Sequence, residues 1–374
     1  MITKPGLRNP AVDPRVENAR VGSELFRRIA RDLFTDETSP RRLETREWEI
    51  LDYSSCFSIE WEEGERRDGV YVKIPKADID RRTVLPEKEA DRRLAEDEFR
   101  SLAYVQKHWD GSAQGVSFVI LLAFYGDYNA LVTRRAYGRD LLVLFRKADL
   151  RRKFWRALRG DSMLVGLNKV GRALRDFHRR SREAEGFDHE EFRADRLIAK
   201  VDRICDDLRR SGVDERRVRP SLERLGRWRD YAVSCPMAMT LKGLEIRNIL
   251  IGDHGQIHLF DPGRLKRDFH QADLARLLVT CRILYWGAPW FALRLHPDRC
   301  YERAVLEGYY ADSTQDQTVL KLHIIKELCK QWRMAYVALR RKRWPAPVEW
   351  LLGRSYIDPF YAAQVAQEIR GLGR

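Results

Sequence analysis

Residues 241 to 263 constrain this chain more than any other stretch. The segment Leu241-Lys242-Gly243-Leu244-Glu245-Ile246-Arg247-Asn248 leads into the apolar run Ile249-Leu250-Ile251 and a Gly-Asp-His-Gly turn. A second apolar run, Ile257-His258-Leu259-Phe260, then ends in Asp261-Pro262-Gly263. Two short apolar strands flanking a glycine-bearing turn form a β-hairpin. A hairpin sets the residue before its first strand beside the residue after its second, so Asn248 and Asp261 converge. An amide oxygen and a carboxylate are hard donors of the kind magnesium takes, and these two are the expected metal ligands.

Upstream the texture is strand-like. Glu49 to Tyr53, a turn at Ser54-Ser55-Cys56, the alternating Phe57-Ser-Ile-Glu-Trp61 and Gly69-Val-Tyr-Val-Lys-Ile74 predict three consecutive antiparallel strands. A charged helix follows from Pro86 to His108, with Leu94, Leu102 and Val105 at helical spacing, and then strands over Ser117 to Ala123 and Ala130 to Thr133. Residues 1–45 carry Pro5, Pro10, Pro14 and Pro40 around a helix from Val21 to Leu33, and read as an N-terminal extension. Beyond Arg134 the pattern is mainly helical. One helix runs from Leu164 to Arg180, and an insertion at about 185–230 places Leu197, Val201, Ile204 and Leu208 at spacings of three and four.

Asn248-Ile249-Leu250 and Asp261-x-Gly263 resemble two motifs of the aminoglycoside phosphotransferase, choline kinase and lipopolysaccharide kinase branch of the protein-kinase-like superfamily. These are the loop His-Gly-Asp-Leu-x-x-x-Asn-Ile-Leu and the metal motif Ile-Asp-x-Gly. The resemblance covers roughly residues 48 to 335, with specific motifs from Asn248 to Leu278. It implies a two-lobed α+β fold, with a small antiparallel-sheet N-lobe at 46–136 and a larger helical C-lobe at 137–374. It also implies ATP and Mg²⁺ as cofactors. Lys73 then corresponds to the strand lysine that grips the α- and β-phosphates, and Glu98 on the charged helix to its ion-pair partner, with Glu89 as the alternative. Ser54 and Ser55 take the place of the glycine-rich phosphate loop, or are ordinary hairpin residues. The segment Arg134 to Ala136 corresponds to the hinge, where backbone near Arg135 and Ala136 meets adenine, and Gly138-x-x-Leu141 to the opening of the first C-lobe helix. His178 is expected as a packing residue, and Asp273, in Asp273-Leu274-Ala275, as one that caps a helix and steadies the loops.

The departure from this family is at the catalytic base. Gly243 stands where the family has its Asp, and Leu241 where it has His. Glu245 is the substitute base within reach along the loop, and Lys242, with Arg247, is placed to neutralise the transferred phosphate or to hold the loop. Gly243→Asp would restore the family pattern. Two readings follow: a phosphotransferase acting on a hydroxyl of a sugar, a lipopolysaccharide-like glycoconjugate or a small polar molecule, and a pseudokinase that binds nucleotide or a partner.

The net charge is +14, from 70 Lys and Arg against 56 Asp and Glu, which points to an anionic partner. Basic residues concentrate between Arg151 and Arg182 and at Arg340-Arg341-Lys342-Arg343. Together with the aromatic run Tyr285 to Phe291 they suggest peripheral contact with an anionic membrane. No nucleic-acid motif accompanies the charge, so nucleic acid is not the expected partner. The six scattered cysteines without C-x-x-C, the lack of a long apolar run and the lack of a signal-peptide pattern fit a cytoplasmic protein, peripheral at most to the inner membrane face.

Overall fold

A computed structural model describes residues 14–34, 43–45, 48–63, 66–81, 83–110, 114–144, 162–252, 255–284, 299–311, 317–341 and 344–372, apart from 52, 79–80, 85 and 142. The chain divides into two compact units, residues 1–107 with 118–137, and residues 108–117 with 138–374.

The first unit is built on a six-stranded antiparallel sheet. Its strands are β1 (Leu43–Thr45), β2 (Glu49–Ile50), β3 (Ser54–Glu63), β4 (Arg66–Pro75), β6 (Leu121–Tyr125) and β7 (Ala130–Arg134), in the order β1-β3-β4-β7-β6 with β2 also on β3. Alternation puts Phe57, Ile59, Val70, Val72, Ile74 and Val132 on one face. Helix α1 (Pro14–Leu33) covers that face with Val21, Leu25 and Ile29, all in the same buried cluster. The segment read as an extension therefore supplies part of the core. Helix α2 (Glu89–His108) buries Ala95, Leu102 and Val105. Leu94, expected on that face, is 42% exposed.

The apolar run from Ser117 to Ala123, expected as one strand, is split. Val116–Phe118 (β5) joins a sheet of the second unit, and the chain re-enters the first as β6. That sheet is ordered β5-β12-β11-β8, from β8 (Arg139–Asp140), β11 (Ile249–Ile251) and β12 (Ile257–Leu259). Arg139 and Asp140 thus pair with Ile251 and Leu250 as strand residues, where the sequence suggested a helix opening. Between β8 and β11 lie α3 (Ser162–Glu185), β9 (His189–Arg193), α4 (Ala194–Arg210), α5 (Glu215–Gly226) and β10 (Ala232–Leu241). Asp214 starts α5 cleanly, its side chain accepting from Arg216 N at 3.0 Å. The insertion is helical as expected, with Leu197, Val201 and Leu208 buried, but β9 ties it to β10 by a five-residue ladder.

After β12 come β13 (Leu265–Phe269), paired with β10, and helices α6 (Gln271–Leu284), α7 (Cys300–Tyr310), α8 (Thr318–Arg341), α9 (Ala346–Leu352) and α10 (Asp358–Arg370). Arg282 on α6 is buried and bonds Glu302 on α7 through two nitrogens at 2.7 Å and Glu368 on α10 at 2.9 Å, which locks three helices together. All six cysteines are free thiols. No helix among the described residues is long and apolar enough to cross a membrane.

Candidate functional site

The expected hairpin forms. Ile249 pairs with Leu259 and Ile251 with Ile257, and the burial of Ile249, Ile257 and Leu259 fixes the register. The ladder continues one step further, with Phe260 N donating to Asn248 O at 3.1 Å, so Asp261 follows directly from a residue bonded to Asn248. The Asn248 side chain donates through Nδ2 to Gly243 O at 2.8 Å. Because a carbonyl can only accept, this bond settles which end of the amide is which and leaves Oδ1 as the remaining acceptor. Asp261 sits in the left-handed region at φ 53°, unusual for a residue with a Cβ, and Gly263 follows at φ 64°. Asp253 and His254 of the turn lie outside the described residues.

Gly243 meets the backbone of the Asp261–Gly263 segment directly. Its N–H donates to Pro262 O at 2.8 Å, and a Cβ there would lie 2.0 Å from Asp261 O and 2.7 Å from Gly263 N. The space beside Gly243, the position that the resemblance matches to a catalytic base, is therefore filled by backbone. An aspartate cannot be restored at Gly243 without displacing the Asp261–Gly263 segment, which corrects the expectation that Gly243→Asp would complete the loop.

Glu245 lies two residues on, mostly buried. Its carboxylate accepts from Arg247 Nε at 2.6 Å, while Arg247 itself is largely exposed. Behind the loop, both Asp273 carboxylate oxygens accept from Leu241 N, at 2.9 and 2.7 Å, and Asp273 Oδ2 lies 3.1 Å from His178 Nε2. The other nitrogen of His178 bonds Tyr309 OH at 2.8 Å. His178 is thus a packing and hydrogen-bonding residue, and Asp273 holds the loop at its root. Burial raises the Asp273 carboxyl above its usual range, against the pull of His178. Burial also holds the nearby His270 neutral, its pKa lowered to about 3, with His178 adding to the effect. The Asp273–Leu241 bond is invisible in the sequence; only the Asp-Leu-Ala triplet hinted at it.

A run of cations borders this loop. The β10–β13 register sets Lys266 opposite Thr240, and Lys242 N donates to Arg264 O at 3.3 Å, so Lys242, Arg264 and Lys266 share one face of the ribbon. Burial and the charges of Arg264, Lys266 and Arg276 lower the Lys242 pKa, with Asp268 opposing. Arg276 on α6 makes no hydrogen bond or ion pair among the described residues. On α8, burial would raise the Glu327 carboxyl, yet Lys326 at 3.0 Å and Lys330 at 3.5 Å hold it down at about 2.

In the first unit, Lys73 Nζ donates to Glu98 Oε1 at 2.7 Å, with both side chains largely buried. The alternative partner, Glu89, pairs with Arg93 at the surface at 2.9 Å. Ser54 and Ser55 do not form a turn. They open β3, face Pro75 and Ile74 across the ladder and are buried, and Ser55 also pairs with Ile50 of β2. Arg135 N donates to Gly69 O at 2.8 Å, and its guanidinium is tied to Glu60 and, at 3.1 Å, to Ser58 Oγ. Ala136 follows it beyond the end of β7. The aromatic run 285–291 and the basic residues 151–161 lie outside the described residues. Among the described residues no cluster of three or more His, Cys, Asp and Glu could hold a metal.

No family model matches the chain, and no curated protein matches it. Solved structures do. A macrolide 2′-phosphotransferase from Brachybacterium faecium aligns over 94% of this chain and 99% of its own at 14% identity, with a TM-score of 0.50. A choline kinase from Streptococcus pneumoniae aligns over 94% and 99% at 11% identity and a TM-score of 0.48, and a glucosamine kinase over 90% and 95% at 12% and 0.48. At these identities the likeness is one of fold.

Proposed function

We propose, from the premise that this chain has the α+β protein-kinase-like fold, that it is a Mg²⁺-dependent phosphotransferase moving the γ-phosphoryl group of ATP to a hydroxyl. The observation that carries this reading is the convergence of Asn248 and Asp261 on one hairpin end, with the amide turned so that its oxygen remains available. Two oxygen donors fit magnesium, which keeps water and takes its other ligands from phosphates. When bound, the ion offsets charge on the phosphates. Lys73, oriented by Glu98, is assigned to the α- and β-phosphates, and backbone near Arg135 and Ala136 to adenine. Ser54 and Ser55, buried in a ladder, receive no role.

In the transfer, the acceptor oxygen bonds to the γ-phosphorus as the bond to the ADP oxygen breaks. The hydroxyl proton is assigned to Glu245, which must give up part of its bond to Arg247 to take it. A loose transition state asks little of a base, so a weak one suffices at low turnover. The Lys242, Arg264, Lys266 and Arg276 surface favours an acceptor that is itself anionic, such as a phosphorylated sugar or a lipopolysaccharide-like glycoconjugate. Free thiols throughout suit a reducing compartment such as the cytoplasm.

The test is thermal unfolding with ATP, with and without Mg²⁺. Binding to the native state raises Tm, and Asp261→Asn should remove the Mg²⁺-dependent part of the rise. A variant that keeps the full shift would sink the assignment. The packing of Gly243 against Asp261 favours the second reading, a pseudokinase. A retained Mg²⁺-dependent shift with no phosphotransfer to any hydroxyl acceptor would select it.

A further inference from the structure

Residues 344–352 read Trp-Pro-Ala-Pro-Val-Glu-Trp-Leu-Leu, apolar but for Glu349, in a position where apolar residues are normally covered. Trp344, Trp350 and Leu351 are not covered, while Val348 and Leu352 are half-buried. Helix α9 has no buried residue, and Trp350 is 60%, Leu351 54% and Trp344 47% exposed. Two tryptophans and a leucine held in water on one short segment mark an interaction surface.

The segment is not a frayed end. At its C-terminal side Gly353 is buried so close to Tyr336 that a Cβ would lie 2.8 Å from the phenol oxygen. Tyr336 OH and Trp332 Nε1 donate to Asp358 Oδ1 at 2.7 and 3.0 Å, which anchors the start of α10 to α8. A five-residue π-helical stretch, Gly353–Ile357, joins α9 to this anchor. The fold thus fixes the base of α9 and leaves its body bare.

The charge around it selects the occupant. Arg340-Arg341-Lys342-Arg343 immediately precedes Trp344, and the Arg354 guanidinium lies 5.4 Å from the Trp350 ring centre. Arg340 donates to Ser211 O at 3.1 Å and stays exposed. Tryptophan, with an apolar body and one N–H, partitions to the boundary between lipid headgroups and acyl chains. Clustered arginine and lysine beside it are drawn to anionic headgroups. A protein groove would complement the tryptophans equally well, but it would gain nothing from cations that are contiguous with them in sequence unless it were itself acidic.

We propose that Trp344 and α9 form a membrane-surface anchor, in which Trp344, Trp350 and Leu351 enter the interface of an anionic bilayer and Arg340, Arg341 and Arg354 supply the cations for its headgroups. The anchor is independent of the phosphotransferase assignment, since none of its residues belongs to that site. It differs from the membrane contact expected of the run 285–291.

The experiment is co-sedimentation of the full chain with vesicles of phosphatidylcholine alone and of phosphatidylcholine mixed with phosphatidylglycerol. The unmodified chain should bind the mixed vesicles and release at high salt. The double variant Trp350→Ala with Leu351→Ala should bind roughly tenfold more weakly, with an unchanged Tm because both side chains are solvent-facing. Arg340→Gln with Arg341→Gln should remove the preference for the anionic vesicles. No binding to either vesicle overturns the proposal, as does binding that the Trp350 and Leu351 variant leaves intact. A dimer in sedimentation velocity that the same variant abolishes would assign the surface to a second copy of the chain instead.

Discussion

The Lys73–Glu98 pair and the Gly243 loop are the two places where the resemblance to kinases predicts a working charge, and they differ. At the first, a largely buried ammonium is still held by a carboxylate at 2.7 Å. At the second there is no side chain, and Gly243 packs against the carbonyl of Asp261. A lost side chain can be replaced while its volume stays empty. Here backbone occupies that volume, so no single substitution puts a carboxylate there.

The largest expected effect probes that closure. Gly243→Ala should destabilise the protein by about 3 kcal/mol or more, because a Cβ 2.0 Å from a carbonyl oxygen forces two backbone segments apart. Gly243→Asp should fare no better and should gain no ATP hydrolysis. A stable, folded Gly243→Asp protein in denaturant titration would break the comparison.

Acid sharpens it at the scale of whole units. All eight histidines of the chain lie in the second unit, none in the first. Burial holds His270 and His323 neutral, each with a pKa lowered to about 3. Their folded pKa values lie below the unfolded value near 6.5, so the unfolded state takes up protons first as pH falls. Stability present above about pH 6.5 is then lost on acidification, at up to about 1.4 kcal/mol per pH unit for each histidine. Between pH 6.5 and 5 calorimetry should show the second unit's transition moving down while the first unit's stays. A joint shift of both would contradict this.

Smaller effects separate the two places chemically. Glu98→Gln should cost about 1–2 kcal/mol, since Lys73 loses a fixed partner yet keeps some access to water, and should weaken the nucleotide-dependent Tm rise. Glu245→Gln should change stability by about 0.5 kcal/mol or less, its partner Arg247 being solvated, and should lower turnover while leaving nucleotide binding in place. Turnover indifferent to Glu245→Gln would move the proton acceptor elsewhere.

What the sequence made legible was local. The hairpin from Ile249 to Leu259 announced itself because period, turn and the flanking Asn248 and Asp261 sit within one short span, and Glu98 was placed by the helical spacing of Leu102 and Val105 around it. What stayed hidden was set by distant partners. Ser54 and Ser55 look like turn residues, and only their pairing with Ile74, Pro75 and the two-residue β2 makes them strand. The run 117–123 carries no mark of the switch between sheets at residues 119–120. The contact between Gly243 and Asp261 joins residues eighteen positions apart through backbone alone, and a glycine codon does not say whether it is there for conformation, for closeness or by loss.

The left-handed backbone of Asp261 bears on how this protein could drift. At φ 53° a glycine would relieve strain that an aspartate must carry, and the neighbouring Gly263 shows that the turn accepts one. Folding alone thus pulls position 261 towards glycine, while the metal-ligand role proposed for it pulls towards a carboxylate. Strain carried at a residue with a carboxylate marks a position set by something other than folding, and the proposed ligand role is what would account for it.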